Sequence, residues 1–414
     1  MAREERKGWL LLGVLFLSNF FVIGSTSSIT GVFLTPLVRH FGWTRTRAAS
    51  LTMLLALTGA LAGPILGRLL DSLAVQKVMA AGVALTAIAL LAAGQANSFA
   101  AMAAAHVMIG IGTAASTIIP VSLVTSNWFG ARRGVALGVA MSGMSLGASA
   151  MASFASYLIA VVGWRDAYTI LAIPLLVLVI PIVLLIVRTR PPMPTGDRTT
   201  SQPLVLAEGL DRSEALRGRS FWLIGITYFM YLMGVGLGVV HFVPYLIGLG
   251  MSAQRAAAVF SVALLASTLS KPVMGIVADR VKAPVALAMA VLSLSGAFLL
   301  LTQAAHALVL VPLVIFYGIG VGAPVALVPM LMAECFGLKT FGTLAGLMGI
   351  FGMLGTATGP MFAGRIFDVS GAYTTAFILM SLFLMIAALL PFGCLPFRIR
   401  ARAAAPALAQ QALT

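Results

Sequence analysis

The sequence predicts an all-α integral membrane protein of twelve transmembrane helices in two pseudo-symmetric six-helix bundles. Three observations lead there. Sixty per cent of the 414 residues are hydrophobic and only 9% are charged, against the roughly one quarter charged in soluble domains, and the mean hydropathy is +1.06. Twelve apolar stretches are long enough to cross a hydrocarbon layer, which takes roughly 20 residues of helix. They fall as six, a polar interval, then six. Finally, the chain repeats its punctuation after 208 positions: Pro36, Arg47, Pro64, Gly67, Asp71, Gly110, Gly112, Gly134, Gly138, Gly147 and Gly163 recur as Pro244, Arg255, Pro272, Gly275, Asp279, Gly318, Gly320, Gly342, Gly346, Gly355 and Gly371. A repeat of half the chain, built on Gly, Pro and a helix-end Asp, reads as duplication of a membrane bundle.

The predicted spans are 10–34, 47–69, 76–96, 98–122, 134–160 and 165–187 in the first half, and 220–247, 255–278, 284–304, 308–332, 342–366 and 374–396 in the second. This gives a first bundle over 1–187, a linker over 188–219 rich in charge, Pro, Gly, Ser and Thr, a second bundle over 220–398 and a tail over 399–414. The first apolar run is too long for a signal-peptide core and is expected to remain as a helix.

The formal charge of +15 raises the question of nucleic acid. Its distribution excludes that class, because the basic residues are scattered over short membrane-proximal loops rather than gathered on one face. With the N-terminus inside, 19 of the 26 Lys and Arg fall on the interior side, and six (Arg39, Arg45, Arg47, Arg165, Arg255 and Arg365) on the exterior. That asymmetry follows the positive-inside rule and puts both termini in the cytoplasm. Cys335 and Cys394 both fall near cytoplasmic helix ends, where no disulfide is expected, and two cysteines make no metal cluster. No cofactor is expected. The Gly-x-Gly pairs lie within apolar helices without a third glycine, no Walker A sequence is present, and no nucleophile has a paired base and acid, so the chain does not read as an enzyme.

The charge left over is Lys271. It stands about eight residues inside the cytoplasmic end of the eighth span, roughly 12 Å deep at 1.5 Å per residue. A charge there costs about 3 kcal/mol on the most lenient scale, so it calls for a watery cavity or a partner. All 11 acidic residues lie in loops or at helix ends. A substrate carboxylate is then the simplest partner, with Ser267 one turn away on the same face. The competing reading is that Lys271 snorkels to the interface and binds nothing. Its counterpart in the first half is Gly63, so the repeat does not extend to the cation.

Other polar residues within spans are candidates too. His106 shares a face with Thr113 and Thr117, and His241 with Gly234 and Gly238; histidine is the side-chain type suited to proton coupling near neutral pH, and either ring carries a proton or simply bonds a neighbouring helix. Zinc is discounted for want of ligands. Tyr228, Tyr231 and Tyr317 combine a hydrogen-bond donor with an aromatic wall. Ser25, Thr26, Ser27, Ser28 and Thr30 offer hydroxyls in the first span, which equally bond their own helix. The spacings Gly134-x-x-x-Gly138, Gly143-x-x-x-Gly147, Gly342-x-x-x-Gly346 and Gly355-x-x-x-Gly359 predict close packing, and smooth faces on which the halves rock.

Two motifs carry a resemblance. Gly67-Arg68-Leu-Leu-Asp71 and Gly275-Ile-Val-Ala-Asp279-Arg280, each at the end of the second span of its half, resemble the hallmark loop of the major facilitator superfamily, with Ser72 replacing a basic residue in the first copy. These six residues, Gly67, Arg68, Asp71, Gly275, Asp279 and Arg280, are the expected conformational gate: an Asp near a helix end pairs with basic residues or caps another helix, in a contact that breaks and reforms. The runs Gly31 to Arg45, Asn127 to Gly143 and Gly163 to Tyr168 are similar to the monocarboxylate transporter family and its bacterial relatives, including the oxalate/formate antiporter. That likeness implies alternating-access transport of a small organic anion, a monocarboxylate or short dicarboxylate, by exchange or with protons, in a multi-pass protein of a bacterial inner membrane that acts as a monomer. The family's D-x-x-x-R-P stretch appears here as Ser267-x-x-x-Lys271-Pro272, which keeps a cation and loses the acid. The substrate-binding set expected is Lys271, Ser267, Tyr231, Tyr317 and Thr113. A carrier of a larger aromatic or amphipathic compound, or a membrane sensor that no longer transports, are the alternatives.

Overall fold

The computed structural model describes residues 2–26, 29–130, 132–189 and 209–396; most of the predicted linker, the whole predicted tail, and Ser27 and Ser28 lie outside them. In the first half the helices are α1 (Ala2–Gly24), α2 (Thr30–Phe41), α3 (Arg45–Ser72), α4 (Val75–Gln95), α5 (Phe99–Ser116), α6 (Ile118–Trp128), α7 (Arg133–Pro174) and α8 (Ile180–Ile186). A short α9 (Arg212–Arg217) precedes the second half, α10 (Arg219–Gly248), α11 (Ala253–Val281), α12 (Ala283–Leu301), α13 (Leu310–Gly322), α14 (Pro324–Phe336), α15 (Phe341–Ser370) and α16 (Thr374–Leu389). Eleven continuous helical segments among the described residues are long and apolar enough to cross a membrane. One of them, 133–186, holds two crossings, because Gly163 at φ 82°, ψ 167° breaks it between α-helical stretches. That positive φ is open to glycine at little cost. Its counterpart Gly371, at φ 71°, ends α15 at the equivalent place.

Two spans depart from the predicted continuous helices. The first stops at Gly24 and resumes at Thr30 as α2. Glycine and a run of hydroxyl residues explain this, since Ser and Thr offer the backbone competing bonds; Thr26 Oγ1 donates to the Val22 carbonyl at 2.7 Å. The fourth span breaks between α5 and α6 at Thr117, where φ −114° and ψ −109° are non-helical. Pro120 lies three residues on; it has no N–H, and its ring crowds the carbonyl of Ser116 four residues before it.

Within the first half α7 packs on α1 and α4, and α5 on α3 and α4; in the second α15 packs on α10, α13 on α11 and α12, and α16 on α12. The halves meet chiefly through two crossings, α3 with α15 and α11 with α7. These are one crossing seen twice, displaced by 208 positions. At the first, Gly63 and Gly67 lie against Gly346 and Gly342; at the second, Lys271 and Gly275 lie against Gly138 and Gly134, with backbones so close that a Cβ on Gly67, Gly134, Gly138, Gly275, Gly342 or Gly346 would land on the facing carbonyl. Gly143 and Gly147 instead pack on Phe16 and Phe20 of α1, and Gly355 and Gly359 on Phe229 and Met233 of α10. The smooth faces between the halves are therefore 134/138 and 342/346, while the other glycine pairs serve packing inside each half.

Candidate functional site

At the end where α3 and α11 finish, each predicted gate aspartate caps a helix of the opposite half. Asp71 accepts from Gly342 N (2.8 Å), Thr343 N (2.9 Å) and Thr343 Oγ1 (2.7 Å) at the start of α15. Asp279 accepts from Gly134 N (2.6 Å) and Val135 N (2.9 Å) at the start of α7. A carboxylate satisfies orphan N–H groups there and meets the positive end of the helix dipole. Of the two roles expected for these acids, capping is the one realised. Arg68 and Arg280 are exposed, and the ion pair found among the described residues is Lys339 with Asp211 at 2.8 Å. Gly67 and Gly275 supply the close approach that brings the caps within reach.

Deeper along α11, Lys271 is 4% exposed. Its Nζ donates to Ser145 Oγ on α7 and lies 3.5 Å from the Ser267 carbonyl. The ammonium thus bridges the two halves, held by neutral oxygens. Ser267 Oγ is spent on the Leu264 carbonyl of its own helix at 2.6 Å. Ser145 was missed from sequence, although a signal existed: it lies seven residues after Gly138, two turns along the face of α7 that meets Lys271.

A cavity of about 530 Å³ opens beside this crossing, walled by α3, α5, α6, α14 and α15, with Ile23, Met144 and Tyr228 from α1, α7 and α10. This is within the usual range for a small-molecule site. Gly63 is on its wall; Lys271, whose place is equivalent in the other half, is not. Ser145, which holds the ammonium, is not on the wall either; it directly follows Met144, which is. Among the lining residues none is charged, and the polar ones are Thr113, Thr117, Ser122, Tyr228 and Thr356.

Of the predicted set, then, Thr113 reaches the wall. Tyr231 and Tyr317 do not line it. Tyr231 donates to the Val321 carbonyl at 2.6 Å, tying α10 to α13. Tyr317 lies under Gly238 against Phe242 and Phe260, its hydroxyl buried without a protein partner. The tyrosine on the wall is Tyr228, three residues from Tyr231. His106 Nδ1 is 2.9 Å from the Met102 carbonyl one turn back. His241 Nε2 is 3.1 Å from the Pro360 carbonyl, with its ring beside Tyr373. Both histidines stand off the cavity. Asn19, not singled out from sequence, is fully buried on α1 and donates to the Ala140 carbonyl of α7 at 2.9 Å. Cys335 and Cys394 are buried, and Cys394 Sγ lies 3.9 Å from the Ser220 carbonyl.

The remaining motif residues gather elsewhere. Phe41, Trp43, Trp164 and Tyr168 form a linked aromatic cluster. Arg165 stacks over Trp164 and donates to the Gly94 carbonyl (3.1 Å) and Asn97 Oδ1 (2.8 Å). These contacts staple the first half and touch no cavity residue.

The sequence profile of the Major Facilitator Superfamily matches residues 15–322 and again 248–412. The chain belongs to the Major Facilitator Superfamily. Among superfamily proteins it is similar to monocarboxylate transporter 13 of Bos taurus, 27% identical over 385 residues covering 91% of this chain and 87% of that one. It is also similar to monocarboxylate transporter 12-B of Danio rerio, 24% identical over 430 residues covering 95% and 90%. Among solved structures, the human organic anion transporter MFSD10 (TETRAN) superposes with a TM-score of 0.72 at 19% identity, over 93% of this chain and 99% of that one. The E. coli fucose:proton symporter FucP matches equally at 0.72, with 15% identity over 92% and 98%. At such identity the structural likenesses speak for the fold alone. The chain is a multi-pass membrane transporter of the superfamily, with the monocarboxylate transporters among its relatives.

Proposed function

We propose that the protein carries a small organic anion by alternating access, and that Lys271 neutralises the anion's carboxylate. The observation that carries this reading is a cation buried in a membrane span, bonded across the boundary between halves to a serine hydroxyl, with no carboxylate of the described residues paired to it. A buried ammonium held by neutral oxygens alone retains most of its desolvation cost, which an incoming carboxylate offsets. When the substrate arrives, Lys271 exchanges Ser145 for it, and loosening that bridge frees α11 against α7. The Asp71 and Asp279 caps hold the halves together at one end; their release opens that end and closes the other. The asymmetry of Lys and Arg puts this capped end, and both termini, in the cytoplasm. The membrane is a bacterial inner membrane and the working unit a monomer. Anion exchange suits the site better than proton coupling, because His106 and His241 each engage a main-chain carbonyl away from the cavity.

The apolar cavity favours a second reading, a larger aromatic or amphipathic cargo with Lys271 structural. The two separate in proteoliposomes. Counterflow of labelled carboxylates is measured against the matching neutral amides and against a neutral aromatic compound. Saturable uptake confined to the carboxylates is expected; uptake of the neutral compounds alone would transfer the cavity to the second reading.

A further inference from the structure

The fourth span supplies a feature that the second half does not repeat. At Thr117 the helix stops, and α6 starts afresh with no side-chain cap, because Thr117 Oγ1 turns back to the Thr113 carbonyl at 2.7 Å. The first turn of α6 lies on the cavity: Thr117, Ile118, Ile119 and Ser122 are all on its wall. In the second half Val325 stands in the place of Thr117, already inside α14, and the chain passes from α13 to α14 through Ala323 in helical conformation. Both starts lack a side-chain cap, but among the described residues it is the first half that sets a non-helical residue before its helix, the 11-residue α6, beside the space between the bundles.

Two side chains at this start point independently to a ligand. Thr113 and Ser122 are 8% and 1% exposed, both line the cavity, and neither hydroxyl has a protein hydrogen-bond partner. In this span Ser116 and Thr117 bond a carbonyl of the preceding turn, as Thr26 and Thr86 do elsewhere, while Thr125 and Ser126 are also unpaired among the described residues but lie off the cavity. A buried hydroxyl left unpaired is costly, and two of them flanking one helix start are matched donors for an acceptor that comes from outside the chain. The helix start adds the N–H groups of Ile118 and Ile119, since Pro120 has none and the Val121 N–H is taken by the Thr117 carbonyl at 3.0 Å, together with about half a positive charge. Broken helices in membrane carriers use the same physics to meet electron-rich groups at mid-membrane.

We infer that the start of α6, with Thr113 and Ser122, is a second subsite that accepts an sp² oxygen of the substrate, so that the preferred cargo carries two acceptor groups: a carboxylate for Lys271 and a carbonyl or second carboxylate for the first half. This rests on the anion-transport reading and narrows it. The cation and the uncharged donor site belong to different halves, and a substrate with an oxygen at each end joins them. The apolar wall contributed by Ala56, Ala60, Val325, Val328 and Met332 suits the carbon frame between.

The test uses the full-length protein in proteoliposomes and three labelled probes: butyrate, with one carboxylate; 2-oxobutyrate, which adds a carbonyl; and succinate, which adds a carboxylate. At equal subsaturating concentrations the wild type should take up at least one of the latter two about tenfold faster than butyrate, as expected for one or two added hydrogen bonds. Whichever is preferred identifies the acceptor. The double variant Thr113→Val, Ser122→Ala should abolish the preference, so that the three probes are taken up at one common rate whatever that rate is, and restoring a hydroxyl with Thr113→Ser in that background should recover part of the preference. A wild type indifferent to the second oxygen, or a double variant that keeps the preference, overturns the subsite. Thermal unfolding in detergent is read in parallel. Loss of two unpaired hydroxyls should leave the midpoint of the double variant unchanged or raised, so a defect in uptake is not a defect in folding. If no carboxylate is taken up at all, the transport reading fails; stabilisation by succinate or 2-oxobutyrate that needs Thr113 and Ser122 would still uphold the subsite, and no such stabilisation would overturn it too.

Discussion

The crossing of α3 with α15 and that of α11 with α7 are built to one plan and differ at one place that matters. Both use facing glycines, and both are closed by an aspartate that caps the opposite helix. Eight residues inside the aspartate, however, one crossing has Gly63 on the cavity wall, while the other has Lys271, whose side chain reaches across to Ser145. The partner is not duplicated either: Met353 stands where a second Ser145 would be. Duplication supplied the frame, and divergence at one pair of positions placed a charge in the second half only. A symmetric pair of cations would repel each other; a single one leaves room for an anion.

The comparison breaks most visibly if the cation is relocated. The double variant Gly63→Lys, Lys271→Gly should fail to transport, because a Cβ at 63 meets the Gly346 backbone at 3.0 Å and Met353 cannot hold the ammonium. Uptake at or near the wild-type rate would show that the halves are interchangeable and that Lys271 owes nothing to its place. Next come the smooth faces. Gly138→Leu or Gly346→Leu should nearly abolish counterflow while the protein still inserts, whereas Gly147→Leu should act through the α1 packing and lower the thermal midpoint, since overpacking costs about 1–3 kcal/mol.

The two caps should differ by less. Asp71 has three donors and Asp279 two, so Asp71→Ala should weaken closure of that end more than Asp279→Ala. A cap is worth about 1 kcal/mol, and somewhat more when charged. Spin labels on the loops after α3 and before α15 would report the share of open molecules; equal shares in the two variants would mean the third bond is idle. The smallest effects belong to the tyrosines. Tyr231→Phe orphans the Val321 carbonyl and should cost about 1 kcal/mol of stability, while Tyr317→Phe removes an unpartnered hydroxyl and should cost nothing. Thermal unfolding separates them, and a large loss of uptake in either without loss of stability would return that ring to the substrate site.

Much of this architecture was legible in the sequence because the forces behind it act on composition. Hydropathy marks the spans, and the 208-residue echo marks the halves. The end of α1 at Gly24 and the break at Thr117 were not, since hydroxyls and a proline three residues on barely alter hydropathy yet redirect the backbone. Lys271 was found by its charge alone. Its partner Ser145 required knowing which face of α7 meets α11, and the same rotational detail puts Tyr228 rather than Tyr231 on the cavity wall and assigns Gly138 rather than Gly147 to the boundary between halves. Spacing tells which residues share a face; it takes the packed helices to tell what that face touches.

The most direct measurement is counterflow of a labelled carboxylate into proteoliposomes by the wild type, Lys271→Gln and Lys271→Arg. A hydrogen bond to a charged group is worth about 1.5–3 kcal/mol, so Lys271→Gln should lose uptake by roughly ten- to a hundredfold, with Lys271→Arg retaining part of it. Saturable uptake that persists unchanged in Lys271→Gln would contradict the account, leaving the buried cation a structural tie between the halves.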